Sequence, residues 1–137
     1  MYIANDGVVI QNLVIDTVTH NDNLIEIYSN ATLKNVTVKN GKKAGIYVNN
    51  DKAATTITVN FENITTADNN WAGIGLVAQQ ADSKVIAKFT GKNAFGEAVG
   101  VYSDNNSDEY TGQYLGTVEV EGLKLTVNAT DKKNNWK

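Results

Sequence analysis

Cysteine, proline and arginine are all missing from this chain of 137 residues, and histidine occurs once, as His20. Without cysteine there is no disulfide framework and no thiolate metal site. Without arginine the chain lacks the planar fork that grips carboxylates and phosphates in two-point fashion. All 12 cations are lysine, the formal net charge is −3 and the pI is about 5.0. That balance speaks against a broad phosphate-binding surface, and so against nucleic acid as a partner. No apolar run approaches the length of a membrane span, so no membrane insertion is expected. The opening "MYIANDGVVI" has no basic stretch followed by a long apolar one, so no secretory signal is visible. Met1 stands before what reads as the middle of a repeat. We therefore expect a single domain over residues 1–137, excised from a longer protein whose signal was left behind.

What the chain does have is asparagine, threonine, valine and glycine, a balance that favours strands and tight turns over helices. Five short segments share an apolar-x-polar-apolar pattern: "IQNLVI" from Ile10, "LKNVTV" from Leu33, "FENITT" from Phe61, "IAKFTG" from Ile86 and "VEGLKL" from Val120. Asn12, Asn35 and Asn63 hold the third place in three of them, Lys88 and Gly122 in the others. A second column follows, "LIEIYSN" from Leu24, "GIYVNND" from Gly45, "GIGLVAQ" from Gly73 and "AVGVYSD" from Ala98. In three units the second column starts 12 residues after the first, in the first unit 14, a two-residue insertion, and the remaining variation in length falls in the polar stretches behind the second column. Constant strands with variable loops are the mark of stacked repeats, in which each unit buries its apolar face against its neighbours. Alternation predicts that Ile25 and Ile27, Ile46 and Val48, Ile74 and Leu76, and Val99 and Val101 face inward. Leu13, Ile15, Val36, Val38, Ile64, Phe89, Leu123 and Leu125 are expected to join them. A β-sandwich also fits turns at this spacing, but it does not explain two columns held at a fixed offset.

"NVTVKNGKKAGIYVNN" and "NITTADNNWAGIGLVA" resemble the consensus coil of the right-handed parallel β-helix family, the pectate-lyase-like superfamily. The resemblance extends over nearly the whole chain. It implies an all-β solenoid of about five coils, the outer two incomplete, with three parallel sheets. It also implies that Asn12, Asn35 and Asn63 stack as an inward ladder, broken at Lys88 and Gly122. Asparagine suits such a turn because it tolerates the left-handed backbone and its amide can bond the next amide in the stack.

The family contains polysaccharide lyases, hydrolases, tailspikes and adhesins, and a fold does not choose among them. Lyase chemistry in the family typically uses a basic residue, often arginine, with acidic Ca²⁺ ligands, and this chain has no arginine. Hydrolysis needs paired carboxylates, yet Glu26 meets Tyr47, Gly75 and Gly100 in the aligned column. His20, in a polar turn, is assigned no role. Asp104, Asn106 and Asp108 alternate oxygen ligands as Ca²⁺ loops do, but Glu109 and Leu115 break the EF-hand pattern and a solvated loop is the favoured reading. No other cofactor is expected. The glycines of the two Ala-Gly-Ile stretches precede no helix that could bind phosphate.

The expectation is a non-catalytic segment of a secreted or cell-surface protein, adhesin-like or carbohydrate-binding. Tyr28, Tyr47, Trp71 and Tyr102 are its candidate binding residues, since aromatic rings stack on sugar faces and anchor protein contacts. Partners would be a glycan or a cell-surface protein, with self-association through exposed end coils. The alternatives are a fragment of a polysaccharide lyase or glycoside hydrolase whose catalytic coils lie elsewhere, and a structural spacer.

Overall fold

The computed structural model describes residues 1–105, 110, 112–127 and 134–136. Its regular elements are strands: β1 (Tyr2–Ile3), β2 (Val8–Asp16), β3 (Ile25–Ile27), β4 (Ala31–Lys39), β5 (Ala44–Asn50), β6 (Thr56–Ala67), β7 (Ala72–Ala78), β8 (Lys84–Thr90), β9 (Ala94–Phe95), β10 (Val101–Ser103), β11 (Thr117–Glu121), β12 (Leu125–Val127) and β13 (Asn134–Trp136). They form two sheets. One runs β1-β3-β5-β7-β10-β13-β12; the other runs β11-β8-β6-β4-β2, with β9 also paired to β6. From β1 to β8 successive strands alternate between the sheets, and each strand pairs in parallel with the strand two places on. Among the described residues, only the pairings of β13 with β10 and β12 are antiparallel. The protein is thus all-β with parallel sheets, and a pairing between every second strand is what a repeat of two strand columns requires.

The registers settle which side chains stack. One inward column is Ile25, Ile46, Ile74 and Val101; a second is Leu13, Val36 and Ile64; a third is Ile10, Leu33, Phe61 and Phe89. Most of these residues are fully buried between the sheets. Phe61 and Phe89 stack with centroids 4.8 Å apart and planes 14° from parallel.

Three expectations of inward facing or register are corrected. Val99 is only half-buried and lies outside the first column, because Val101 pairs with Ile74. Ile86 pairs with Thr58 and Glu119 on the outer side of its strand, and Phe89 is the true fourth member of the Phe61 column. Leu125 is 51% exposed.

The asparagine ladder exists, but on the opposite face from the one the resemblance implied. Asn12, Asn35 and Asn63 have φ of 55°, 52° and 55° and lie on the exposed side. Asn35 Nδ2 donates to Asn12 Oδ1 at 3.1 Å, and Asn63 Nδ2 donates to Asn35 Oδ1 at 2.9 Å. In β4 the inward residues Leu33 and Val36 are separated by two outward-facing ones, Lys34 and Asn35. The left-handed residue therefore bends the strand and resets its alternation. The resemblance implies three sheets; the described residues form two, because hydrogen bonding continues through this bend. The side-chain ladder ends at Asn63, as expected, but Lys88 is not the residue that ends it: Lys88 pairs with Asn60, and Gly91 takes the next place. Lys92 N donates to Asn63 Oδ1 at 2.8 Å, and Gly91, with φ 71°, stands against that amide where a Cβ would collide with it.

The paired Ala-Gly-Ile stretches have a steric origin. A Cβ on Gly45 would sit 2.9 Å from Gly73 O, and one on Gly73 would sit 2.8 Å from Gly100 O. Bare backbone is needed where successive strands approach this closely.

Crossing lengths differ along the stack. Between equivalent positions the chain takes 5 residues (Ile3 to Val8), 4 (Ile27 to Ala31), 11 (Val48 to Val59), 11 (Leu76 to Ala87) and 17 (Ser103 to Val120), by subtraction of the paired numbers. The second crossing is therefore recessed next to the third.

Candidate functional site

The outer row of the seven-stranded sheet reads Tyr2, Glu26, Tyr47, Gly75 and Tyr102 by register. Alternation puts these residues opposite the Ile25 column, so the row is outward-facing for the same reason that the isoleucines are buried. Gly75 makes room in it. A Cβ there would lie 2.9 Å from the rings of both Tyr47 and Tyr102, so the two rings close over the glycine. Tyr28 lies two positions beyond Glu26. Its ring packs on Tyr2 with centroids 4.9 Å apart, and its hydroxyl donates to Glu26 Oε2 at 3.4 Å. Asn23 Nδ2 holds the other carboxylate oxygen of Glu26 at 3.0 Å. Tyr110 and Tyr114 meet edge to face at 5.3 Å.

Exposure grades along this surface. Tyr2 is 64% exposed, Tyr28 and Tyr47 are half-buried, and Tyr102 is buried. Burial pushes the Tyr47 phenol well above the ordinary tyrosine range, helped by the neighbouring Tyr102 and Tyr114 and by Asp104. Tyr102 is raised by burial and then by Asp104, and Tyr114 likewise. Tyr28 is raised by burial and by the Glu26 carboxylate.

The sequence-predicted residues divide accordingly. Tyr28, Tyr47 and Tyr102 share one face. Trp71 does not join them: it is 54% exposed, with Lys43 Nζ 5.3 Å from its ring centroid. Lys43 also bridges to Asp22 at 2.7 Å, and that ammonium, with the Asn23 N–H, holds the Asp22 carboxyl below its ordinary value. Of the suggested Ca²⁺ ligands, Asp104 is buried near the tyrosines, while Asn106 and Asp108 lie outside the described residues. Among the described residues no three acidic or histidine side chains converge as metal ligands.

Sequence reasoning missed the residue that ties the start of β11 to the end of β7. Asn105, 1% exposed, donates through Nδ2 to Ala78 O at 2.8 Å and Gly116 O at 2.9 Å, and its Oδ1 accepts from Ala78 N at 3.0 Å. It thereby ties Gly116, and the Tyr114 carbonyl at 3.3 Å, to the end of β7. Asn50 plays the equivalent part earlier in the stack, donating to Thr55 O at 3.0 Å and Lys84 O at 2.9 Å. Their position at the end of the second strand column, just before a polar turn, is the signal the sequence carries for this role.

The raised phenols have a consequence for alkaline stability. A phenol whose pKa is higher folded than unfolded favours the neutral form in the fold. Its contribution is fully present below the unfolded value of about 10 and is lost as pH rises through the folded values. Followed by tyrosinate absorbance, the wild type should titrate in two phases, the later one coinciding with loss of β-sheet circular dichroism. Tyr47→Phe and Tyr102→Phe should each diminish the later phase, and a single phase at ordinary phenol pH in the folded protein would contradict the burial argument.

Comparison of the chain with protein-family models, with curated proteins and with solved structures gave no match.

Proposed function

We propose that the chain is a non-catalytic segment of a right-handed parallel β-helix that presents the tyrosine row of its seven-stranded sheet to a glycan on, or outside, the cell surface. The solenoid reading is supported by strands that alternate between two sheets and pair with every second strand. The observation that carries the binding role is the outward row of Tyr2, Tyr28 and Tyr47 around Glu26. Such a row offers flat apolar rings beside a fixed carboxylate, and aromatic stacking with flanking hydrogen bonds suits a sugar's apolar face and hydroxyl rim. An adhesin-like role follows from presentation, since parallel strands repeat side chains about every 4.8 Å across the sheet.

A printed glycan array probed with the purified chain tests this. Binding is expected, and Tyr28→Ala or Tyr47→Ala should weaken it about three- to tenfold, the scale of one aromatic contact. Trp71→Ala, away from the row, should matter less. A blank array would reject the glycan role. Release of unsaturated uronide by the chain alone would favour the lyase alternative instead.

Self-association belongs to the same reading. β2 closes one end of its sheet, and its Val9 and Val14 are 59% and 66% exposed on that edge strand. Unpaired strand edges with apolar side chains template pairing with a second copy. Sedimentation velocity should show a concentration-dependent dimer that Val14→Lys abolishes; a monomer at every concentration would reject it.

A further inference from the structure

We infer that the cleft beside Tyr28 is a saccharide subsite that takes one neutral sugar residue, an inference that rests on the glycan-binding reading above and gives it a location. The cleft follows from the unequal crossings. The chain passes from Ile27 to Ala31 in 4 residues, whereas the next crossing, from Val48 to Val59, takes 11 and projects past it. The Ala4–Asp6 segment closes the other side. The cleft, open to solvent on one side, has a volume of about 370 Å³ and is lined among others by Asp6, Tyr28, Asn30, Asn50, Lys52 and Thr55. That volume lies within the range of small-molecule sites, about 300–1,000 Å³.

The lining is held in place before any ligand arrives. Asp6 Oδ1 accepts from both Asn30 N and Asn30 Nδ2 at 3.1 Å, which leaves Oδ2 outside these bonds. Asn30 Oδ1 in turn accepts from Thr58 N at 2.7 Å, so Asn30 is fixed from two directions. Asn50 Oδ1 accepts from Thr55 Oγ1 at 2.9 Å and from Lys52 N at 3.2 Å, which sets the loop that carries the Lys52 ammonium. Lys52 takes part in none of the salt bridges found among the described residues. A preorganised site loses less on binding.

The chemistry of the walls selects the ligand. A carboxylate and an ammonium of opposite sign line the same cleft, so neither a cation nor an anion is favoured overall. Amide and hydroxyl groups surround them, and few apolar side chains contribute. Tyr28 supplies one aromatic ring, braced by Tyr2. A neutral sugar has what these walls complement: several adjacent hydroxyls that both donate and accept, and one apolar ring face. A peptide side chain offers fewer polar groups for the same volume.

The test uses the full chain, isotope-labelled, titrated by NMR with the methyl glycosides of glucose, galactose, mannose and N-acetylglucosamine. At least one glycoside should shift the backbone amides of Asp6, Ser29, Asn30, Lys52 and Thr55. Lys52→Ala and Asp6→Asn should each weaken that binding at least fivefold with the melting temperature unchanged. Lys52 is exposed, so its variant keeps the experiment decisive even if Asp6→Asn unfolds. Shifts confined to Tyr47, Gly75 and Tyr102 would overturn the cleft while leaving the tyrosine-row reading intact. So would array binding that survives Lys52→Ala. Cleft shifts produced by short peptides and by none of the glycosides would overturn the saccharide assignment. No shift with any glycoside would overturn the subsite, and together with a blank array it would overturn both readings.

Discussion

Phe61→Ala will lower the unfolding free energy by about 3–5 kcal/mol, the usual cost of removing a buried phenylalanine. Phe61 is fully buried in β6, which pairs with both β4 and β8, and it stands in its column between Leu33 and Phe89. Removing the ring deletes its own burial, the stacked contact with Phe89 and the floor on which Leu33 rests. Neighbouring strands are tied by continuous hydrogen bonds on both sides, so the backbone cannot collapse into the gap. Typical domains unfold with about 5–15 kcal/mol, so the loss is a large fraction of the whole. Urea denaturation should show the midpoint falling sharply. Val9→Ala, on an exposed edge position, should stay within about 0.5 kcal/mol. Equal midpoints for Phe61→Ala and wild type would mean that the two aromatic rings are not packed as described.

The second large effect is at Asn69. Three buried side chains, Thr66, Asn69 and Glu97, form a polar network where the chain leaves β6 for β7. Asn69 Nδ2 donates to Glu97 Oε1 at 2.6 Å and to Val38 O at 3.2 Å, and its Oδ1 accepts from Gly41 N at 2.9 Å. Thr66 Oγ1 donates to Glu97 Oε2 at 2.6 Å. Asn69→Ala strips Glu97 of a donor and leaves the Gly41 N–H without an acceptor. Each buried group so orphaned costs about 1–3 kcal/mol, more where the group is charged. The variant should therefore be destabilised by several kcal/mol, with early amide exchange at Gly41. Glu97→Gln keeps an acceptor for Asn69 and should cost much less than Glu97→Ala. If the two Glu97 variants prove equal, hydrogen bonding is not what the network contributes.

Much of this was legible in the chain. Alternation in "LIEIYSN", "GIYVNND" and "GIGLVAQ" identified Ile25, Ile46 and Ile74 as one buried column, because side-chain direction in a strand is a local property with period two. The same rule set Tyr47 opposite them. In the fourth unit it put Val101 and Phe89 inward, where they lie, but left the register open, for a definite reason. Val99 and Val101 differ by two residues, so both satisfy the alternation, and pattern alone cannot choose between them. The choice fell to packing, since Tyr102 seats its ring over Gly75 only when Val101 meets Ile74. The apolar pattern by itself favours Ile86 over Phe89 as the partner of Phe61, and the register reverses that. The sequence cue for Phe89 is Gly91, which stands to Phe89 as Asn63 stands to Phe61 and shares the left-handed backbone of asparagine.

The sequence by itself determined that this protein is built of repeated strands with two apolar columns, since spacing and alternation are written residue by residue. Only the tertiary structure decided which face the asparagine ladder occupies, which tyrosines meet, which loops asparagine side chains secure, and where a short crossing beside a long one opens a cleft. Those outcomes depend on contacts between residues some 20–30 positions apart. A local pattern sets the direction of a side chain, whereas its neighbour is set by the register of the whole stack.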